Sequence, residues 1–155
     1  MDFNFRDVDS RRDLKALVDF LVKQNLGYPN YEDWIQRTES ELDMGYKTAI
    51  LAFLDGKLIG DLIHQPHKTI AGYRELKNLR IHPEMRRRDV AHFMLKQAEF
   101  ESSKLSSFMI CDVPTDQKST IRFLRFCGYL PIRETPLYSD KPDLIMVKEL
   151  VRNVA

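Results

Sequence analysis

Apolar residues alternate with polar ones at Phe3, Phe5 and Val8, the period of a half-buried strand. The period then changes. Leu14, Leu17, Val18 and Leu21 recur at helical spacing, Ser10 and Asp13 sit as a capping box, and Gly27 marks the stop. Asn30 opens a second helix through Trp34, Ile35 and Leu42 that ends at Gly45. Two apolar-rich runs, 48–54 and 57–64, flank Asp55-Gly56, the strongest short-range hairpin signal.

The second half continues with a strand over 75–81 and a helix from 89 to about 103, with Val90, Ala91, Met94, Leu95 and Ala98 inward. Residues 107–113 form a short, nearly continuous apolar run, as expected of a strand buried on both faces. A helix over 117–127 places Thr120, Phe123, Leu124 and Cys127 on one stripe, and strands follow near 129–135 and 144–149. The order β-α-α-β-β-β-α-β-α-β-β predicts an α/β protein of the mixed α+β kind. Its central sheet is mixed and mostly antiparallel, flanked by helices, in a single domain over 1–155.

A chain of 155 residues can bury a sizeable core without disulfides or metals. The net charge of +1 implies no whole-molecule attraction to nucleic acid or to an anionic membrane, so any anion site must be local. No apolar run reaches bilayer length, and the N-terminus lacks the features of a signal peptide, which makes the cytoplasm the expected compartment. Cys111 and Cys127 have no metal-ligand spacing and apolar neighbours, as reduced core thiols would. His64 and His67 sit beside Pro66 as turn residues without a third ligand, so no metal is expected.

Chemistry concentrates in the stretch from Arg74 to Ala91. A strand ends at Pro83, Arg86, Arg87 and Arg88 follow, and a helix begins at Asp89. Unpaired N–H groups at a helix start, with mobile positive charge beside them, suit a phosphate group. Taken without any family pattern, the arginines read first as a solvated turn, because short charge runs are usually surface.

This element order, with Glu75-Leu76-Lys77-Asn78-Leu79-Arg80-Ile81-His82-Pro83 running into the arginine turn, resembles the GNAT superfamily of acetyl-CoA-dependent N-acetyltransferases. The stretch from Gln117 to Tyr129 is similar to the later helix and strand of that family. The resemblance implies the GNAT acyl-CoA N-acyltransferase fold and direct transfer of acetyl from acetyl-CoA to a primary amine. It implies that Leu79, Arg80 and Ile81 bind the pantetheine arm by their backbone. Arg86, Arg87, Arg88, Asp89, Val90 and Ala91 would cradle the pyrophosphate, with Gln117 also at the cofactor. Glu75 matches the position of the base, although an exposed strand-edge glutamate fits the residue equally well. The implied partners are acetyl-CoA and an amine acceptor, with no membrane, no nucleic acid, and room for a homodimer. The acceptor would enter by the loops at 26–31 and 136–143, which carry Tyr28, Tyr31, Tyr138, Asp140 and Asp143.

Three positions depart from the pattern. Asp89 replaces a glycine, adding a negative charge where phosphate would bind; Leu124 replaces a tyrosine that protonates the leaving thiolate; Gln117 replaces an asparagine. Tyr129 and Tyr138 are the nearby hydroxyls that can stand in for the tyrosine, although a packing role fits each at least as well. The alternative function is therefore a non-catalytic GNAT-fold binding or regulatory module. An RNA-contacting domain using the arginines is a further alternative, opposed by the near-neutral charge.

Overall fold

Asp55 and Gly56 both take positive φ, 49° and 80°, as a two-residue type I′ turn requires. They join strand β2 (Thr48–Leu54) to β3 (Lys57–Pro66), the hairpin the sequence predicts. The computed structural model describes residues 1–24, 29–86, 89–138 and 140–151. The remaining elements are β1 (Phe3–Asp7), α1 (Arg11–Lys23), α2 (Tyr31–Asp43), β4 (Tyr73–Ile81), α3 (Val90–Ser102), β5 (Phe108–Pro114), α4 (Lys118–Phe126), β6 (Leu130–Thr135) and β7 (Asp143–Glu149). The strands form a seven-stranded sheet of order β1-β2-β3-β4-β5-β7-β6. Its β1–β2, β2–β3, β5–β7 and β6–β7 pairs are antiparallel and its β4–β5 pair is parallel, so the expected mixed, mostly antiparallel sheet is present.

Contacts divide the chain into two compact units, Met1–Pro66 with Lys77–Ala98, and His67–Leu76 with Glu99–Ala155. In the first, Leu17 and Leu21 of α1 and Ile35 of α2 pack on Ala49, Leu51 and Phe53 of β2 and Ile63 of β3. Each large side chain in this set contributes about 1.5–3 kcal/mol by burial. The Ser10 hydroxyl caps α1 by accepting from the Asp13 amide at 3.1 Å, as the capping box predicts. Trp34 packs partly buried against this core and stacks on Tyr31 at 5.7 Å.

In the second unit, β5 buries Met109, Cys111 and Val113 but only half-buries Phe108, Ile110 and Asp112. The sequence expectation of burial on both faces is corrected here: the apolar run hides a period of two, with Asp112 on the less buried face. Cys111 and Cys127 are buried free thiols, and burial pushes the Cys111 thiol up to about 12. Among the described residues no helix is long and apolar enough to cross a membrane.

Candidate active site

The later half of β4 and the start of α3 belong to the first unit. The strand ends where Pro83 removes an amide donor: the His82 amide makes a last bond to Ile59 O at 2.7 Å. A 3₁₀ turn over Pro83–Met85 follows, with the His82 ring accepting from the Glu84 amide at 3.3 Å. Arg86 is exposed at its end. Arg87 and Arg88 lie outside the described residues.

Asp89 has a φ of 59°. Left-handed backbone is where glycine is at ease and aspartate is tolerated. Asp89 therefore holds a conformation open to glycine, while carrying the charge that glycine lacks. Its carbonyl accepts from the Phe93 amide at 3.0 Å, which starts α3. Val90, Met94, Leu95 and Ala98 are buried along that helix, and Ala91 is half-buried.

Gly60 of β3 governs how closely these parts approach. A Cβ there would meet the Ile81 side chain at 2.8 Å, the Arg80 carbonyl at 3.0 Å and the Met94 side chain at 3.2 Å. Gly60 and Ile63 are three residues apart on one strand, so α3 packs on the face of β3 opposite α1 and α2. On the Ile63 face, the Asn78 amide donates to Asp61 Oδ2 at 2.7 Å. Asp61 Oδ1 and Arg80 Nε are buried without a hydrogen-bond partner among the described residues. Burial pushes the Asp61 carboxyl up to about 7, against the opposing effects of the Asn78 hydrogen bond and the Arg80 charge.

Glu75 lies in the second unit, half-buried on the earlier part of β4. The β4–β5 register runs Tyr73–Phe108, Arg74–Met109 and Glu75–Ile110, and ends at Glu75. His67 Nε2 lies 3.5 Å from Glu75 Oε1. Tyr138 is largely exposed, yet partial desolvation of its hydroxyl raises its phenol above the ordinary value. The charge of Asp112 and a hydrogen bond to it act in the same direction, followed by Glu75 and Asp143. Glu75, His67, Asp112, Tyr138 and Asp143 thus share one region of this unit.

A family model for the GNAT acetyltransferases matches residues 14–129. The chain belongs to the GNAT acetyltransferase family. No curated sequence shows a significant match to it. Solved structures of GNAT-type proteins superpose over nearly its whole length. A Desulfovibrio desulfuricans protein assigned to the GNAT family has a TM-score of 0.83 at 15% identity, covering 97% of this chain and 100% of its own. The Escherichia coli ribosomal-protein-S18-alanine N-acetyltransferase has a TM-score of 0.74 at 14% identity, covering 99% of both chains. An aminoglycoside 6'-N-acetyltransferase complexed with coenzyme A has a TM-score of 0.76 at 16% identity, covering 100% of both. At these identities the likeness shows the GNAT fold.

The GNAT departures have clear structural settings. Leu124 is 2% exposed in α4, a core residue with no proton to give. Tyr129 is no substitute: its ring is wholly buried and its hydroxyl donates to Glu99 Oε2 at 3.1 Å, beside Lys148. Burial and the Glu99 charge raise that phenol far above its ordinary value. Gln117 is the N-cap residue of α4, half-buried. Tyr28 lies outside the described residues. His64, expected in a turn, is instead buried within β3, because that strand continues to Pro66. Sequence reasoning missed His67 as a neighbour of Glu75 and Asp61 as the partner of Asn78. In both cases the contact is made between residues far from one another on the chain or across a turn, and no local period encodes it.

Among the described residues, a cavity of about 660 Å³ is lined by Arg6, Asp13 and Phe53 among others and contains none of the expected site residues.

Proposed function

We propose that the protein transfers an acetyl group from acetyl-CoA directly to a primary amine. The observation that carries this reading is β4. Its register with β5 runs from Tyr73 to Glu75, and the residues assigned to the pantetheine arm follow on the same strand. Leu79, Arg80 and Ile81 would hold the pantetheine arm there. Arg86 and the amides from Asp89 to Ala91 would hold the pyrophosphate, with Arg87, Arg88 and Gln117 as further contacts. A helix start that follows a left-handed residue is a ready anion cradle, which fits the group. The reading treats 1–155 as one functional domain, since the family match draws on both units.

Acetyl-CoA supplies an activated thioester carbonyl. Glu75 removes a proton from the acceptor ammonium, directly or through water. The free amine then forms a C–N bond to the acetyl carbon as the C–S bond breaks, coenzyme A leaves as thiolate, and the nitrogen gives up its second proton to water. With Leu124 buried, the thiolate takes its proton from water. The acidic and tyrosine side chains near Glu75, namely Asp112, Asp143 and Tyr138, suit a cationic acceptor. The S18-alanine and aminoglycoside enzymes of the same fold set the two acceptors to try first.

The test is coenzyme A release from acetyl-CoA with an aminoglycoside and with an alanine-initiated peptide. Loss of the base costs 10²–10⁴ in rate, so Glu75→Gln should lower kcat by roughly a hundredfold with acetyl-CoA affinity unchanged. A Glu75→Gln variant as active as the parent would remove Glu75 from the reaction.

A further inference from the structure

We infer that His67 is a positioning residue for Glu75, holding its carboxylate with the hydrogen on Nε2; this rests on the reading of Glu75 as the base. The His67 amide donates to Tyr73 O at 3.0 Å, closing the turn that brings the ring back over β4. Within that turn the Thr69 and Ile70 amides donate to His67 Nδ1 at 3.1 and 3.0 Å. A neutral imidazole has one accepting and one donating nitrogen. With Nδ1 accepting from two amides, the hydrogen is on Nε2. That nitrogen faces Glu75 Oε1 at 3.5 Å, and both side chains are less than a fifth exposed.

The ring is held on other sides too. Tyr73 meets it edgewise at 6.4 Å, and Tyr73 is itself stacked on Phe108 at 4.8 Å through the β4–β5 pairing. Every one of these residues lies in the second unit. A donor fixed in this way sets the rotation of the Glu75 carboxylate. The 3.5 Å separation is at the outer limit of a hydrogen bond, and such contacts tighten when substrate binds. His67 does not relay the proton: Nε2 already bears a hydrogen and Nδ1 is occupied by amides. The proton that Glu75 takes from the amine passes from Glu75 to water.

Two substitutions separate this role from support of the turn. His67→Gln keeps a donor near the Nε2 place and loses the acceptor for the two amides. His67→Asn keeps the acceptor and loses the donor. A misplaced reacting group costs up to about a hundredfold. Expected are a kcat within about threefold of the parent for His67→Gln and lower by at least about tenfold for His67→Asn, with the acetyl-CoA KM unchanged in both. The reverse order, or equal kcat in both variants and the parent, would overturn the inference. Nitrogen-15 NMR of the ring adds a readout that needs no acceptor. The Nε2–H tautomer is expected in the parent and in Glu75→Gln alike, and the Nδ1–H tautomer in either would overturn it. If Glu75→Gln is fully active, the base reading falls and the role of His67 falls with it. If Glu75→Gln is inactive while His67→Asn is not, only the positioning role fails.

Discussion

Asp61 is wholly buried in β3, one oxygen bonded to Asn78 and the other without a partner among the described residues. Its folded-state value of about 7 lies well above the ordinary 3.8, so the folded state binds its proton more tightly than the unfolded chain does. The stability contributed by this group is therefore full below about pH 4 and declines as pH rises to about 7, where it levels off. A shift of this size is worth on the order of 4 kcal/mol. Asn is close in shape to the protonated acid and does not ionise. Asp61→Asn should match the parent near pH 4 and become progressively more stable than it up to pH 7, as read from urea midpoints. A difference that stays constant with pH would show that Asp61 does not titrate in this way. The sequence alone did not mark Asp61, since an aspartate in a strand reads as a polar face until the neighbouring strand is known.

At the level of elements, β3 and β4 with the start of α3 depend on the missing side chain at Gly60. Adding one methyl group there presses on the Arg80 carbonyl, which belongs to rigid strand backbone, as well as on two mobile side-chain ends. Gly60→Ala should cost about 1–3 kcal/mol in urea denaturation, the usual penalty of overpacking. It should also weaken acetyl-CoA binding, because the displaced carbonyl lies in the stretch assigned to pantetheine. An unchanged midpoint would mean that the helix yields without cost. Elements were readable where local chemistry decides them. Asp55-Gly56 set the hairpin, Ser10 set the start of α1, and the 48–54 strand has the predicted bounds. Elsewhere packing decided. β4 begins at Tyr73, two residues before the expected start, where Tyr73 stacks on Phe108 of β5. The 3₁₀ turn at Pro83–Met85 was not foreseen, since a three-residue segment has no period to detect.

For the whole molecule, the order of elements led to the GNAT fold, and the family match at residues 14–129 agrees with it. The candidate site was legible in part. Glu75 and the arginine turn stand out in sequence, while the grouping of His67, Tyr138, Asp112 and Asp143 near Glu75 depends on how β4, β5 and the 136–143 segment come together. Acceptor choice is written in loop side chains, whose positions no hydrophobic pattern fixes. With a net charge of +1, affinity for a polyanionic cofactor must come from the local turn, where the Arg86 charge opposes that of Asp89. At about 6 Å and an effective dielectric near 20, the Asp89 charge disfavours phosphate by on the order of 2–3 kcal/mol before screening by salt. Whether the turn overcomes that charge decides between an acetyltransferase and a non-catalytic module of the same fold. Calorimetric titration of the full chain with acetyl-CoA measures it directly. The account predicts saturable binding of one acetyl-CoA per chain, with a stability gain of about 2.7 kcal/mol at a hundredfold excess over Kd. No heat of binding and no gain in stability at millimolar acetyl-CoA would contradict it.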